Sequence, residues 1–457
     1  MAELRLDEIA RGMNGALLQG DPSRTFRTFN IDSRQTTAGE LFFAVVAGRN
    51  GHDFVPEAWH KGAGGAVISQ EISIPDPSFG LVRVPDTVAG LQALAAQTLR
   101  RQGLRVVGIT GSAGKTMTKE FTAALLGGRF HVLRSSGNLN NHLGLALTVL
   151  GLEKEHNLAV LEMAMSGPGE IRRLTQVAPP DIAVITNIHP VHLAFFKNLE
   201  EIAAAKREIL EGTKANGKAV LNYDDLLVRQ AAAEWPGQRI YFGSSPGCPV
   251  RAEGLRSKGY DGLEFTVCLG REKEKVRIPF FYDSFVSNLL AACGAAYGLS
   301  LSLADLLPRF ALLQPFPQRG ALTRLPGNRV LLDDSYNSNP RALESALEGA
   351  ARLPAKRRIA VLGDMLELGP RETEFHLEAG RKVARLGFQM LVTIGPLARH
   401  LAEGAASACL DRNEIHSFDQ PQEAAEAVGP LLRRGDLVLV KGSHGLHLEK
   451  FVAKIKG

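Results

Sequence analysis

The sequence is poor in the residues that staple small domains together. Its 457 residues include only four cysteines, Cys248, Cys268, Cys293 and Cys409, with no C-x-x-C pair and no metal spacing. Neither a disulfide framework nor a structural zinc site is expected, and the thiols read as buried or stray in a reducing cytosol. Long apolar runs are missing too: none approaches the ~18 residues that cross a bilayer. Acids interrupt the apolar residues of the N-terminus where a signal peptide would need its core, so no secretory leader is expected. Charge of one sign is also scarce. Lys and Arg number 53 against 48 Asp and Glu, a net charge of +5, with no basic block. Nucleic acid is not an expected partner, although a mildly basic surface suits a polyanionic substrate. No short-period repeat is visible, which excludes a solenoid.

What is present is an ordinary globular composition, 45% hydrophobic and 22% charged. A chain of this length divides into roughly three domains. The stretch that organises it is Val106-Val107-Gly108-Ile109-Thr110-Gly111-Ser112-Ala113-Gly114-Lys115-Thr116. An apolar strand candidate stops at a Gly/Ser-rich turn, then Lys-Thr leads into a helix predicted over residues 119–126. Such a turn lets backbone N–H groups crowd around an anion, and the helix N-terminus adds partial positive charge. Lys115 then reaches the β/γ-phosphates, and the Thr116 hydroxyl is placed for Mg²⁺. The spacing is shorter than the common form, because Ile109 stands where that form has its first glycine.

Around this cradle the chain reads as three α/β segments: 1–83, 84–313 and 314–457. The first starts amphipathically (Leu4, Leu6, Ile9) and carries Asp32-Ser33-Arg34 before a strand candidate at 41–46. Asp-Ser-Arg reads as an ordinary turn on its own, while a pyrophosphate-sugar ligand would give the Ser33 hydroxyl and the Arg34 fork a task. In the second segment, strand candidates at 158–163, 182–186, 219–222 and 239–242 alternate with helical stretches, the pattern of a parallel sheet. Residues 263–269 and 275–280, joined by a loop at 270–274, read as an appended antiparallel hairpin. Gln314-Pro315-Phe316-Pro317 marks a hinge, after which strand candidates at 330–332, 359–362, 391–394 and 437–440 restart the alternation.

Two strand ends carry polar groups where an open parallel sheet places its ligands: Glu162, and Asn187 with His189 and His192. The segment 199–210 has helical spacing that puts Lys206 within the apolar stripe of Leu199, Ile202, Ala203, Ile209 and Leu210. By residue type a snorkelling lysine is the default. On an inward stripe, the ammonium instead needs a partner or a modification.

Seven ordered segments carry a resemblance: GITGSAGKTMTKE, GNLNNHLGLALTVL, EM…PGEI at 162–171, TNI…HL…AAAKREI at 186–209, DDSYNSNP at 333–340, GDMLELG at 363–369 and KGSHGLHLEK at 441–450. With DSR at 32–34 and GHDF at 51–54, the chain resembles the Mur ligase family nearly end to end. The resemblance implies a UDP-sugar-binding N-terminal domain, a central ATPase domain with a parallel sheet, and a Rossmann-like C-terminal ligase domain. DDSYNSNP and GDMLELG imply the dipeptide-adding activity: ATP-dependent joining of D-Ala-D-Ala to UDP-N-acetylmuramoyl-tripeptide through an acyl phosphate, in the cytoplasm, by a monomer. A sibling activity with another acceptor, and a nucleotide-binding module without turnover, are the competing readings.

For the site, the resemblance implies that Gly111, Ser112, Ala113, Gly114, Lys115, Thr116, Asn288, Arg319 and Asp334 bind ATP. Two Mg²⁺ ions are implied at Thr116, Glu162, His192 and Lys206, with Lys206 carrying a CO₂-derived carbamate. Lys115, Lys206 and His192 are the implied catalytic residues, and Ser33, Arg34, Asn138 and Asn141 the implied substrate contacts. The chain departs from the family pattern at Ala113, Met117, Ala164, Gly167, Ser284, Phe285 and His444.

Overall fold

The computed structural model describes residues 3–191 and 195–456, which form three α/β units in series. In the first, strands Ala16–Gln19, Gly80–Arg83, Gly65–Ile68, Leu41–Phe43 and Phe29–Asn30 lie side by side in that order. Only Ala16–Gln19 runs antiparallel. Leu41–Phe43 and Gly65–Ile68 are buried throughout because both sheet faces are covered, which is why they read as unbroken apolar runs. Of the two outer strands, Ala16–Gln19 is too exposed and Phe29–Asn30 too short to give such a signal.

The central sheet places Arg105–Thr110 between Leu158–Glu162 and Ile182–Ile185, all parallel. Val132–Arg134 lies beyond Leu158–Glu162, and Lys218–Asn222, Gln238–Gly243 and Val250–Ser257 continue the other side, still parallel. Leu263–Leu269 and Glu272–Ile278 close that edge as the expected antiparallel hairpin. Its turn is shorter than the sequence suggests, Gly270-Arg271, and the strand resumes at Glu272. Three exposed charged residues, Glu272 to Glu274, hid that start.

Period-two alternation sorts the central strands onto two cores. Val107, Ile109, Val160 and Val184 face helices Lys115–Leu126 and Asp283–Gly298 in a buried cluster that runs on into Leu332, Leu343 and Leu439 of the third unit. Val106, Leu161, Ala183 and Ile185 face helices Thr87–Gln102, Glu170–Val177 and Leu199–Glu211, in a cluster continuous with Leu6, Phe43 and Val82 of the first. Each face of the middle sheet is thus shared with a different flanking unit.

The third unit is a sheet of strands Ala321–Leu325, Arg329–Asp333, Asp436–Lys441, Arg357–Gly363, Met390–Ile394 and Ile415–Phe418, antiparallel only at the first. The DDSYNSNP and KGSHGLHLEK segments leave adjacent parallel strands at the same end.

Candidate active site

The cradle forms where the buried strand Arg105–Thr110 ends. Gly111 has φ +152°, and a Cβ there would fall 1.9 Å from Thr186 Oγ1. Gly114 has φ +79°, and its Cβ would fall 2.2 Å from Asn288 Oδ1. Neither position admits a side chain. The loop is laced to the neighbouring strand tip. The Ser112 N–H donates to the Asn187 carbonyl (3.0 Å). Ala113 N–H donates to Asn187 Oδ1 (2.8 Å), while Asn187 Nδ2 and Thr186 Oγ1 donate to the Ala113 carbonyl (3.0 and 2.7 Å). His189 N–H donates to Ser112 Oγ, which in turn donates to the His189 carbonyl.

This lacing accounts for one departure, and burial for a second. Residue 113 shapes the loop through its backbone alone, so an alanine serves. Met117 lies in the first turn of the following helix with its side chain buried in the core beside Phe121. Asn187 is thereby the clamp of the cradle.

No described side chain caps helix Lys115–Leu126, whose N-cap position is Gly114. Its first N–H groups face the cradle, a ready anion site. Lys115 Nζ donates to the Gly111 carbonyl (2.9 Å). Burial lowers its pKa, with Glu162 opposing the shift and Arg319 adding to it. Thr116 Oγ1 accepts from the Arg319 guanidinium (3.2 Å), which lies 3.8 Å over the Tyr336 ring. The third unit thus reaches the cradle through Arg319.

Glu162 ends its strand buried, with Oε1 accepting from Asn140 Nδ2 (2.9 Å) and Oε2 bonded to nothing described. Lys206 is 2% exposed on helix Leu199–Glu211 and makes no hydrogen bond or ion pair with a described residue. Burial, and then the charge of Lys115, drive its pKa well below the ordinary lysine value. His189 is half-buried, and desolvation lowers its pKa against the pull of Asp225. His192 lies outside the described residues.

The residues present fit a nucleotide polyphosphate with Mg²⁺. An uncapped helix start, two desolvated lysines and an arginine call for an anion, and the orphaned Glu162 oxygen calls for a cation. The described residues hold no group of three His, Cys, Asp or Glu that could hold a metal alone. Phosphate oxygens and a modified Lys206 would have to complete the coordination.

Other expected residues sit apart. Asp334, half-buried, accepts from Lys441 Nζ (2.7 Å), which also donates to the Asn337 carbonyl (2.9 Å). Burial raises the Asp334 pKa and Lys441 opposes the rise. Ser33 donates its hydroxyl to Glu57 (2.8 Å), and Arg34, largely exposed, is held by both oxygens of Asp32 (2.9 and 2.8 Å). The Arg34 fork holds the Asp32 carboxyl down at about 2. Asn141 Oδ1 accepts from the Leu143 and Gly144 N–H groups at the start of helix Gly144–Leu150 (3.2 and 2.9 Å), and Asn138 is exposed. Asn140, between them, is the residue that sequence reasoning missed; one asparagine among three gives no sign of which faces Glu162. Of the remaining departures, Ser284 Oγ accepts from Ser345 Oγ (3.0 Å) across the units. Phe285 stacks on Tyr282 (5.1 Å, 12°), and His444 lies against Tyr336 (5.2 Å).

Residues 109–296 match the model of the Mur ligase middle domain, and residues 319–444 that of the Mur ligase, glutamate ligase domain. The UDP-N-acetylmuramoyl-tripeptide–D-alanyl-D-alanine ligase of Bacillus subtilis is 33% identical over 455 residues, 99% of this chain and 98% of the relative. The enzyme of that name from Escherichia coli is 30% identical over 464 residues, 100% and 99% of the two chains. A solved MurF structure from Acinetobacter baumannii has a TM-score of 0.90 at 27% identity, covering 100% of this chain and 99% of that one. The Thermotoga maritima MurF ligase in complex with ADP has a TM-score of 0.83 at 29% identity, covering 94% and 97%.

Proposed function

The chain belongs to the Mur ligase family, and on that premise we propose that it joins D-Ala-D-Ala to UDP-N-acetylmuramoyl-tripeptide at the expense of ATP, releasing ADP and phosphate in peptidoglycan precursor synthesis. The observation that carries the reading is the charge imbalance at the cradle. Lys115, Lys206 and Arg319 converge there with Glu162 as the carboxylate acting on Lys115, so the site is built to gather anions.

A carboxylate is a poor electrophile until it is phosphorylated, and bringing it to a triphosphate sets anion against anion. The N–H groups at the start of helix Lys115–Leu126 and the Lys115 ammonium hold the β/γ-phosphates and offset that repulsion. Arg319, hydrogen-bonded to Thr116, orients the hydroxyl and adds positive charge from the third unit. The substrate carboxylate attacks the γ-phosphorus and ADP leaves. The dipeptide amine then attacks the acyl carbon, expels phosphate and loses a proton. Between the steps, the covering third unit keeps water from the acyl phosphate.

Mg²⁺, held by Thr116, Glu162 and His192, would supply charge neutralisation for the transferring phosphoryl group. Lys206 suits a carbamate because its depressed pKa leaves a neutral amine to take up CO₂, and the resulting anion would face the metal. Ser33 and Arg34 would hold the UDP-sugar end, and Asn138 and Asn141 the substrate near Glu162. Asn288 and Asp334 would meet the nucleoside. We assign the enzyme to the cytoplasm as a monomer; no helix among the described residues is long and apolar enough to cross a membrane.

The test is phosphate release with the UDP-tripeptide and D-Ala-D-Ala, set against single amino acids as acceptors. Release confined to the dipeptide supports the assignment. Release with a single amino acid moves the chain to a sibling activity, and none with any acceptor leaves only nucleotide binding.

A further inference from the structure

Lys119 stands one helical turn after Lys115 on the same face of helix Lys115–Leu126. It is fully buried, and the mechanism above gives it no task. Its Nζ donates to the Ser135 carbonyl (2.6 Å) and pairs with Glu120 (3.0 Å), whose other oxygen holds Arg134 (2.6 Å). Ser135 is itself fully buried where strand Val132–Arg134 ends. Its N–H donates to the Val160 carbonyl (3.4 Å), and its Oγ accepts from the Glu162 N–H (3.3 Å). The loop that follows brings Asn140 to Glu162 Oε1, and the Asn140 carbonyl accepts from Ala164 N–H (3.1 Å). A bonded path therefore runs from the cradle helix through Ser135 to the Glu162 backbone, the loop that follows holds Oε1, and Oε2 is left without a described partner.

We propose that Lys119 is a positioning residue for the metal-binding carboxylate: its ammonium ties the cradle helix to Ser135, and Ser135 and Asn140 fix Glu162 with one oxygen presented to Mg²⁺. This rests on the Mg²⁺–ATP reading of the site. A solvated lysine could not do it, because only a desolvated ammonium holds a carbonyl in one place against competing water. The same helix that carries Lys115 to the phosphates thus sets the distance to the opposite wall, so phosphate and metal positions are fixed together.

The test uses the full chain with Lys119→Met and Ser135→Ala. The second removes the Oγ that receives the Glu162 N–H and leaves the carbonyl that Lys119 holds. Two quantities are read: the Mg²⁺ concentration giving half-maximal binding of a fluorescent ATP analogue, and the KM for D-Ala-D-Ala. Both variants are expected to raise the Mg²⁺ requirement roughly ten-fold or more, the effect typical of losing a metal ligand's supporting partner. The dipeptide KM should stay within about two-fold, since neither altered side chain touches a group assigned to the acceptor. An unchanged Mg²⁺ requirement in either folded variant overturns the proposal and makes Lys119 a core cation only. If Lys119→Met does not fold, Ser135→Ala decides alone. A wild-type chain that binds the analogue with Mg²⁺ but never ligates the dipeptide would sink the proposed function and leave this inference standing.

Discussion

Two corners of the molecule bury lysines in opposite ways. At the end of the C-terminal sheet, Lys441 meets the Asp334 carboxylate at 2.7 Å and a carbonyl besides, so its charge is answered within the fold. At the end of the central sheet, Lys206 is buried just as deeply and answered by no described residue, with another cation, Lys115, as its charged neighbour. The first arrangement holds two segments together. The second costs stability, because an isolated buried charge is unfavourable, and so it marks a place that something else completes. Burial alone did not distinguish them; the partner did.

Removing each lysine or its partner should separate the two corners. Lys206→Met is expected to lower turnover by at least about 10³-fold. In bicarbonate-free buffer it should also stabilise the fold by roughly 1–3 kcal/mol, because a buried lysine that must give up its proton and its solvation on folding disappears. The pH dependence has a definite sign. The Lys206 pKa is depressed in the fold, so the unfolded chain binds the extra proton. Wild-type stability should therefore rise with pH from the depressed value up to the ordinary 10.5, and thermal midpoints of the Met variant should rise less steeply. Lys206→Ala should regain part of its turnover with a short carboxylic acid; full activity without one would end the carbamate assignment.

Asp334→Asn should do the reverse, costing about 3 kcal/mol in thermal or denaturant unfolding, because Lys441 loses its counter-charge. A neutral result there would mean the pair is not what holds that corner. Arg34→Ala lies on a surface where the fork is exposed, so no loss of stability is expected. The KM for the UDP substrate should rise roughly ten-fold with ATP affinity unchanged. The smallest effect belongs to Ala113→Asn, expected within about 0.5 kcal/mol and with little change in ATP binding, since the backbone there makes the bonds.

The same contrast shows what a sequence discloses. The cradle was readable because its glycines and lysine answer a local demand, and the buried parallel strands because both faces are covered. Strand Val250–Ser257 was not, because its second half is exposed and starts at a glycine, and Ile415–Phe418 sits at a sheet edge with only partial burial. The odd placement of Lys206 on an apolar stripe was visible, but its lack of a partner needs three dimensions. Asn140 was hidden for a related reason, since it acts on a residue far away in the chain; Asn187 was visible as a polar group at a strand end, but its bonds to the cradle loop were not.

The loop at 111–114 has a consequence for resistance. A compound that binds it by backbone groups alone gives the chain few escapes by substitution. Gly111 cannot gain a Cβ without meeting Thr186, nor Gly114 without meeting Asn288. The side chain at 113 carries no bond to lose. Escape would have to come through Asn187, and a change there would loosen the grip on ATP along with the grip on the compound.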